Sequence, residues 1–145
     1  MASVWGITPR RSIEAECRRR GRAAVIAGCV DLLSGRSVDD DLMVALGGPH
    51  AEHVLAGYEG GKDGSWPRVW ATRGLLHEWD DVATRAIITA TGDDAWRVRE
   101  MAAKVIAGHQ VGDALGAVVQ LRDDPVPRVA SAARRAVEIL TGALA

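Results

Sequence analysis

A pattern of about fifteen residues occurs more than once in this chain. Residues 93–107 and 123–137 share it closely, and residues 63–76 share it more loosely. The arginines at the same place in the three copies are 29 and 31 residues apart and are Arg68, Arg97 and Arg128. A period of about thirty residues is typical of stacked helix pairs, because one such pair cannot bury its own apolar face. The spacing therefore predicts an all-α chain with about eight helices in four hairpins.

Composition favours helices that pack through small side chains. The 145 residues include no Phe and one Tyr, which argues against a β-sandwich built on aromatic residues. A chain of this length can form one domain that buries roughly 70% of its unfolded surface. The net charge is −1, so the whole molecule is not expected to attract nucleic acid or an anionic membrane. Charge is nevertheless uneven, because residues 1–36 hold seven Arg against three acids, whereas residues 37–64 hold one Lys against six acids.

The first part of the chain predicts one long helix. Ser12 is a suitable N-cap, and the helix of about twenty residues that follows ends at Gly35. Cys17 and Cys29 lie in it 12 residues apart, about 18 Å along the axis, so they cannot form a disulfide within it. Two thiols and no signal-peptide pattern predict a reducing cytoplasm, with both cysteines acting as small buried hydrophobes. The longest apolar run, residues 23–30, is too short to span a membrane.

Two segments, Asp94–Ala103 and Asp124–Ala133, resemble the second helix of HEAT-like repeats of the PBS-lyase type, which reads D-x-x-x-R/V-R-x-x-A-A-x-x-L. The resemblance implies a right-handed α-α superhelix within a single domain. Its implied divisions are N-terminal cap helices in residues 1–48 and repeats at about 49–79, 80–109 and 110–142.

Six recurring residues are interpreted as structural, and they are Asp94, Arg97, Val98, Asp124, Arg128 and Val129. Each Asp stands before a helix, where capping contributes about 1 kcal/mol. Each Arg can contact acids or carbonyls of an adjacent turn, and each Val belongs to the apolar row that faces the core. The first copy departs from this arrangement, because Arg73 stands where the later copies carry Ala102 and Ala133.

Catalytic and metal-binding signals are weak. His50 and His53 lie one helical turn apart, a spacing that can share a metal ion, but no Cys or further His lies near in sequence to complete four ligands. The pair His77-Glu78 resembles the His-Glu pairs of deoxyhypusine hydroxylases, diiron enzymes of HEAT-like repeats that use several such pairs. No G-x-G-x-x-G, P-loop or G-x-S-x-G motif occurs. We therefore expect no catalytic residues, no metal and no cofactor.

Tryptophan and arginine residues gather at the starts of the predicted second helices. Stacked repeats would place them along one edge, where aromatic rings and guanidinium groups can anchor a ligand. The predicted contact residues, with the loop 57–64 beside them, are Trp66, Trp70, Arg73, Trp96 and Arg99. The other interpretation is that the tryptophans fill gaps between repeats. The sequence thus predicts a non-catalytic protein-binding or scaffold module, and it does not identify the partner.

Nucleic-acid binding is the alternative function. Alkylpurine DNA glycosylases built of HEAT-like repeats use Trp and Asp in a basic groove, and the segment Trp79-Asp80-Asp81 resembles that set. Further positive charge would come from Arg18, Arg19, Arg20 and Arg22. Those enzymes are longer and more basic than this chain, which argues against base excision here. Pairing of two chains through the apolar segment 137–144 stays open.

Overall fold

The computed structural model describes residues 7–142, and within that range every regular element is helical. It contains nine α-helices and three short 3-10 helices there, which confirms the predicted all-α class. The chain divides into two compact units, Met1–Trp79 (unit 1) and Asp80–Ala145 (unit 2). That boundary falls where the first two predicted repeats meet. Between residues 7 and 142, no helix combines the length and the apolar character needed to cross a membrane.

Unit 1 is built around one helix, α5. Its elements are α1 (Pro9–Arg20), α2 (Arg22–Leu33), α3 (Asp40–Gly47), α4 (Pro49–Leu55), a 3-10 helix (Tyr58–Asp63) and α5 (Trp66–His77). Helix α5 packs against α1, α2 and α3. Val69 is buried, and Ala71 and Leu75 are fully buried, so this helix turns a wide apolar face to the core. A broad apolar face is what a helix needs when it packs on several neighbours at once.

The single long helix predicted for the front of the chain is two helices, and that prediction is wrong. Gly21 separates α1 from α2 with φ 97° and ψ 138°, a conformation that residues with a Cβ disfavour. The first helix also begins earlier than predicted, because Thr8 is the N-cap and accepts a hydrogen bond from Arg11 N at 3.2 Å. Ser12 instead donates its hydroxyl hydrogen to the carbonyl oxygen of Ala45 at 2.8 Å, which ties α1 to α3.

The two cysteines therefore lie on different helices, and both are free thiols. Cys29 is 1% exposed, and burial raises its pKa to about 12. We expect iodoacetamide at about pH 8 to leave Cys29 of the folded protein unmodified, because the reactive thiolate is scarce and covered. Mass spectrometry of the alkylated peptides measures this. Equal labelling of Cys29 in the folded protein and in urea would contradict it.

Unit 2 contains the same helical hairpin twice. The first copy is a 3-10 helix (Asp81–Ala83), α6 (Thr84–Ala90) and α7 (Trp96–Gly108), and the second is a 3-10 helix (Gly112–Ala114), α8 (Leu115–Leu121) and α9 (Pro127–Leu140). Each element of the second copy begins 31 residues after its counterpart. The buried rows repeat as well, since Val98 and Val129 are both 0% exposed. Ala102 and Ala133 occupy the next turn of the same two rows and are also 0% exposed.

The turn between the two helices of each hairpin is closed by an aspartate. Asp93 Oδ1 accepts a hydrogen bond from Ala95 N at 2.8 Å, and Asp124 Oδ1 accepts one from Val126 N at 2.9 Å. The counterpart of Asp124 is therefore Asp93 and not the predicted Asp94, which is exposed. The sequence comparison paired two aspartates 30 residues apart, whereas the helices recur at 31. Each aspartate stabilises its turn by satisfying a backbone N–H that the helix leaves without a partner.

Candidate functional site

The predicted contact residues are divided between the two units, with Trp66, Trp70 and Arg73 in unit 1. Trp70 is 2% exposed, and its ring lies against Gly47, where an added Cβ would be 2.7 Å from the indole. Trp70 is thus a core side chain in this structure. Arg73 is half-buried and donates from Nη2 to the carbonyl oxygen of Leu46 at 2.6 Å, and burial lowers its pKa.

Trp66 is half-buried and belongs to a cluster of rings around one carboxylate. Its centroid is 4.7 Å from that of His50, edge to face. Glu59 Oε2 is 2.6 Å from His50 Nε2, and this hydrogen bond holds the pKa of Glu59 below its usual range. His53 stacks on Tyr58 with centroids 4.3 Å apart. The predicted loop 57–64 is mostly the 3-10 helix Tyr58–Asp63, which contributes Tyr58 and Glu59 to the cluster, and Glu59 has the left-handed φ of 54°.

Arg99 joins the turn of the first hairpin to the turn of the second. Its Nε and Nη2 donate to the two carboxylate oxygens of Asp124 at 2.7 and 3.2 Å. Its Nη1 donates to the carbonyl oxygens of Asp93 and Asp94 at 2.9 and 3.1 Å. The guanidinium holds the pKa of Asp124 below its usual range, and the hydrogen bond from Val126 N adds to this. Arg99 therefore makes the structural contact to an adjacent turn that was predicted for Arg97 and Arg128.

Trp96 packs where the two hairpins of unit 2 meet. It packs against a buried group formed by Ala103, Leu121, Val129 and Ala133. The guanidinium carbons of Arg97 and Arg128 lie 4.5 and 5.5 Å from its ring centroid, within the range of cation-π attraction. Two of the predicted structural arginines are therefore organised around this tryptophan.

A cavity of about 580 Å³ lies along helices α7 and α9 of unit 2. We name it the α7–α9 groove and define it by its lining residues, which are Glu100, Lys104, Ala107, Gly108, Arg128, Ser131, Ala132, Arg135 and Ile139. On α9 each of these residues has another of the set three or four positions away, so together they form one stripe of that helix. Apart from Arg128, none was singled out from the sequence. A search for charged residues on one side of the two matching helices would have found Glu100, Lys104 and Arg135.

Charge in the groove is centred on Glu100. This residue is 8% exposed, and its Oε2 accepts a hydrogen bond from Arg128 Nε at 3.1 Å and lies 3.7 Å from Lys104 Nζ. Arg128 and Lys104 themselves are 67% and 46% exposed. Arg135 is exposed, and its guanidinium forms no ion pair with any residue between 7 and 142. Two of the three cations in the groove therefore share the Glu100 carboxylate, and Arg135 stands apart from it.

The basic cluster at the end of α1 and the start of α2 is largely paired within unit 1. Arg19 Nη2 lies 2.5 Å from Glu16 Oε2, and Arg20 also pairs with Glu16. Arg20 Nη1 lies 2.7 Å from Asp39 Oδ2, which holds the pKa of Asp39 well below its usual range. Arg22 Nε lies 3.0 Å from Glu78 Oε2. The cluster thus presents less positive charge to a phosphate backbone than its sequence suggests.

Metal-binding groups do not converge in the part of the chain that the structure describes. No three His, Cys, Asp or Glu side chains there are placed to hold one ion. Comparisons with protein-family models, with curated proteins and with solved structures find no match for this chain. The α7–α9 groove is accordingly the candidate site, chosen by its geometry and charge alone.

Proposed function

We propose that this chain is a non-catalytic protein-binding module of HEAT-like repeats, arranged as a right-handed superhelix, and that a segment of the partner binds in the α7–α9 groove. The repeat assignment is supported by the two hairpins of unit 2, which recur at 31 residues with the same aspartate turn. Stacked repeats commonly bind their partners on the extended surface that successive repeats form together.

The groove is the observation that carries the proposal. Its volume of about 580 Å³ falls within the roughly 300 to 1,000 Å³ of typical ligand pockets. Ala107, Ala132 and Ile139 give it apolar surface, and exposed cations stand beside that surface. A peptide segment offers both apolar and polar side chains on one backbone, so it matches a groove of mixed character.

Panning a phage library of random peptides against the folded protein tests this function. Ser131 is an exposed residue of the groove, and Ser131→Trp would fill the space above it. We expect this variant to bind the selected peptides at least about tenfold more weakly, a loss of about 1.4 kcal/mol. Gln120→Trp, at an exposed site on α8 outside the groove, is the matched control and should bind them as the parent protein does.

Circular dichroism establishes that both variants keep the helical content of the parent. Peptides that bind Ser131→Trp and Gln120→Trp equally well would place recognition elsewhere and overturn the proposal. The proposal would also be overturned if panning enriched no peptide at all.

A further inference from the structure

We propose that the α7–α9 groove recognises carboxylate side chains, so that the segment it binds is an acidic peptide, and that Glu100 occupies the cations of the groove until that peptide arrives. This inference rests on the proposed function, because it assigns a chemical class to the partner of the same groove.

The charge of the groove is the first step. Lys104, Arg128 and Arg135 supply three positive charges, and Glu100 supplies one negative charge. Lys104 and Arg128 both approach the same oxygen of Glu100, while Arg135 forms no ion pair with the residues described. The groove therefore keeps an excess of two positive charges beside its apolar surface. A site of this kind favours an anionic ligand through complementary charge.

Arg128 is placed to hold a second carboxylate. It donates to Glu100 through Nε, and its Nη groups donate to no other residue in the described part of the chain. An arginine fork binds a carboxylate best through two parallel N–H donors, and here such donors remain available. The ring of Trp96 lies 5.5 Å from the guanidinium carbon. That contact restricts the orientation of the guanidinium without using its hydrogen-bond donors.

A peptide suits the groove better than a nucleic acid does. The cations stand beside Ala107, Ala132 and Ile139, so the ligand must bring apolar groups together with its anions. Acidic peptides carry both kinds of side chain on one backbone. Nucleic-acid binding depends instead on many phosphate contacts, and the chain as a whole has a net charge of −1.

Glu100 should act as an internal competitor for the same cations. Glu100→Gln keeps the size of the side chain, removes its charge and releases Lys104 and Arg128 from their shared carboxylate. An acidic ligand would then meet three uncompensated cations, so it should bind more tightly to this variant. A residue that merely supported the groove would weaken binding when replaced, and the direction of the change separates the two roles.

Fluorescence anisotropy with two synthetic peptides tests the inference. The probes are a fluorescein-labelled peptide of about four Glu-Ser-Leu repeats and its counterpart with Gln in place of Glu. We expect the acidic peptide to bind about tenfold more tightly than the neutral one, and Arg135→Gln to reduce its affinity by about tenfold. Glu100→Gln should raise the affinity for the acidic peptide severalfold and leave that for the neutral peptide unchanged. Arg134→Gln, an exposed neighbour outside the groove, makes the same charge change as a control.

Three results would overturn the inference. In the first, the parent protein binds the two peptides equally well or binds neither of them. Another is an equal loss from Arg134→Gln and Arg135→Gln, which would indicate attraction without a defined site. The third is displacement of the acidic peptide by a single-stranded oligonucleotide at lower concentrations than by unlabelled peptide. If peptides selected by panning still depended on Ser131, the proposed function would stand while the acidic partner class failed.

Discussion

Replacing Trp70 by alanine is expected to lower the free energy of unfolding by about 3 to 5 kcal/mol. Among residues 7–142 this is the largest of the fully buried side chains, at 2% exposure. Gly47 leaves no room for a Cβ against the indole, so the surrounding backbone is shaped to this ring. Collapse around the lost side chain would require α3 and α5 to move together. Urea unfolding followed by circular dichroism measures the change without relying on tryptophan fluorescence.

Tyr58→Ala is the matched control for Trp70→Ala. Tyr58 is an aromatic residue of the same unit, but it is 59% exposed, and its removal should cost about 1 kcal/mol or less. Equal destabilisation by the two substitutions would show that the core of unit 1 does not depend on Trp70. It would also support the earlier prediction that Trp70 is accessible to a ligand.

Replacing Arg99 by methionine is expected to lower the free energy of unfolding by about 3 kcal/mol, because it leaves a buried carboxylate without its charged partner. The side chains of Arg99 and Asp124 are 16% and 6% exposed. In an Asp124→Asn background, Arg99→Met should lower the free energy of unfolding by less, because no unpaired charge is then left buried. A double-mutant cycle in urea measures this difference. Arg134→Met removes an exposed cation of unit 2 and should change stability little.

Acid should abolish the same interaction. Arg99 lowers the pKa of Asp124 in the folded protein, so folding disfavours protonation of this carboxyl. Its contribution is then fully present above the ordinary pKa of about 4 and is lost as pH falls through the lowered value. The stability difference between the parent protein and Arg99→Met should therefore shrink as the pH is lowered below about 4. A difference that stayed constant with pH would show that the pair contributes through packing and not through charge.

The sequence predicted the helical rows well because they depend on local spacing. Val98 and Ala102 are four residues apart, as are Val129 and Ala133, and all four are fully buried. The spacing of apolar residues indicates which face of a helix is apolar, and this can be read directly from the sequence. It also favoured a continuous first helix, because nothing in the apolar spacing marks Gly21 as a break. The positive φ of Gly21 depends on how the two flanking helices pack together, and the spacing of their apolar residues does not specify that packing.

The candidate site was predicted less well because its residues meet only through tertiary structure. Glu100 and Arg128 are 28 residues apart in sequence and 3.1 Å apart in space. Trp70 and Arg99 were predicted as ligand contacts from their place near helix starts. That place does not reveal that Trp70 faces the core of unit 1, or that Arg99 turns toward Asp124. A position in a repeat specifies a helix and a turn, but the direction of a long side chain depends on its neighbours.

The bond between Arg99 and Asp124 gives the pair of hairpins a polarity. The first hairpin extends a guanidinium toward its successor, and the second receives it. The residue 31 positions beyond Arg99 is Ala130, which is 7% exposed and has no group to extend. A third hairpin grafted after the second would thus lack the counterpart of the Arg99–Asp124 ion pair, unless the graft brought its own cation or Ala130 were replaced. The two ends of this pair therefore differ as sites for an added repeat. A second copy of the first hairpin, placed before the first, would carry its own connecting arginine, whereas a hairpin placed after α9 would follow a hairpin that has none.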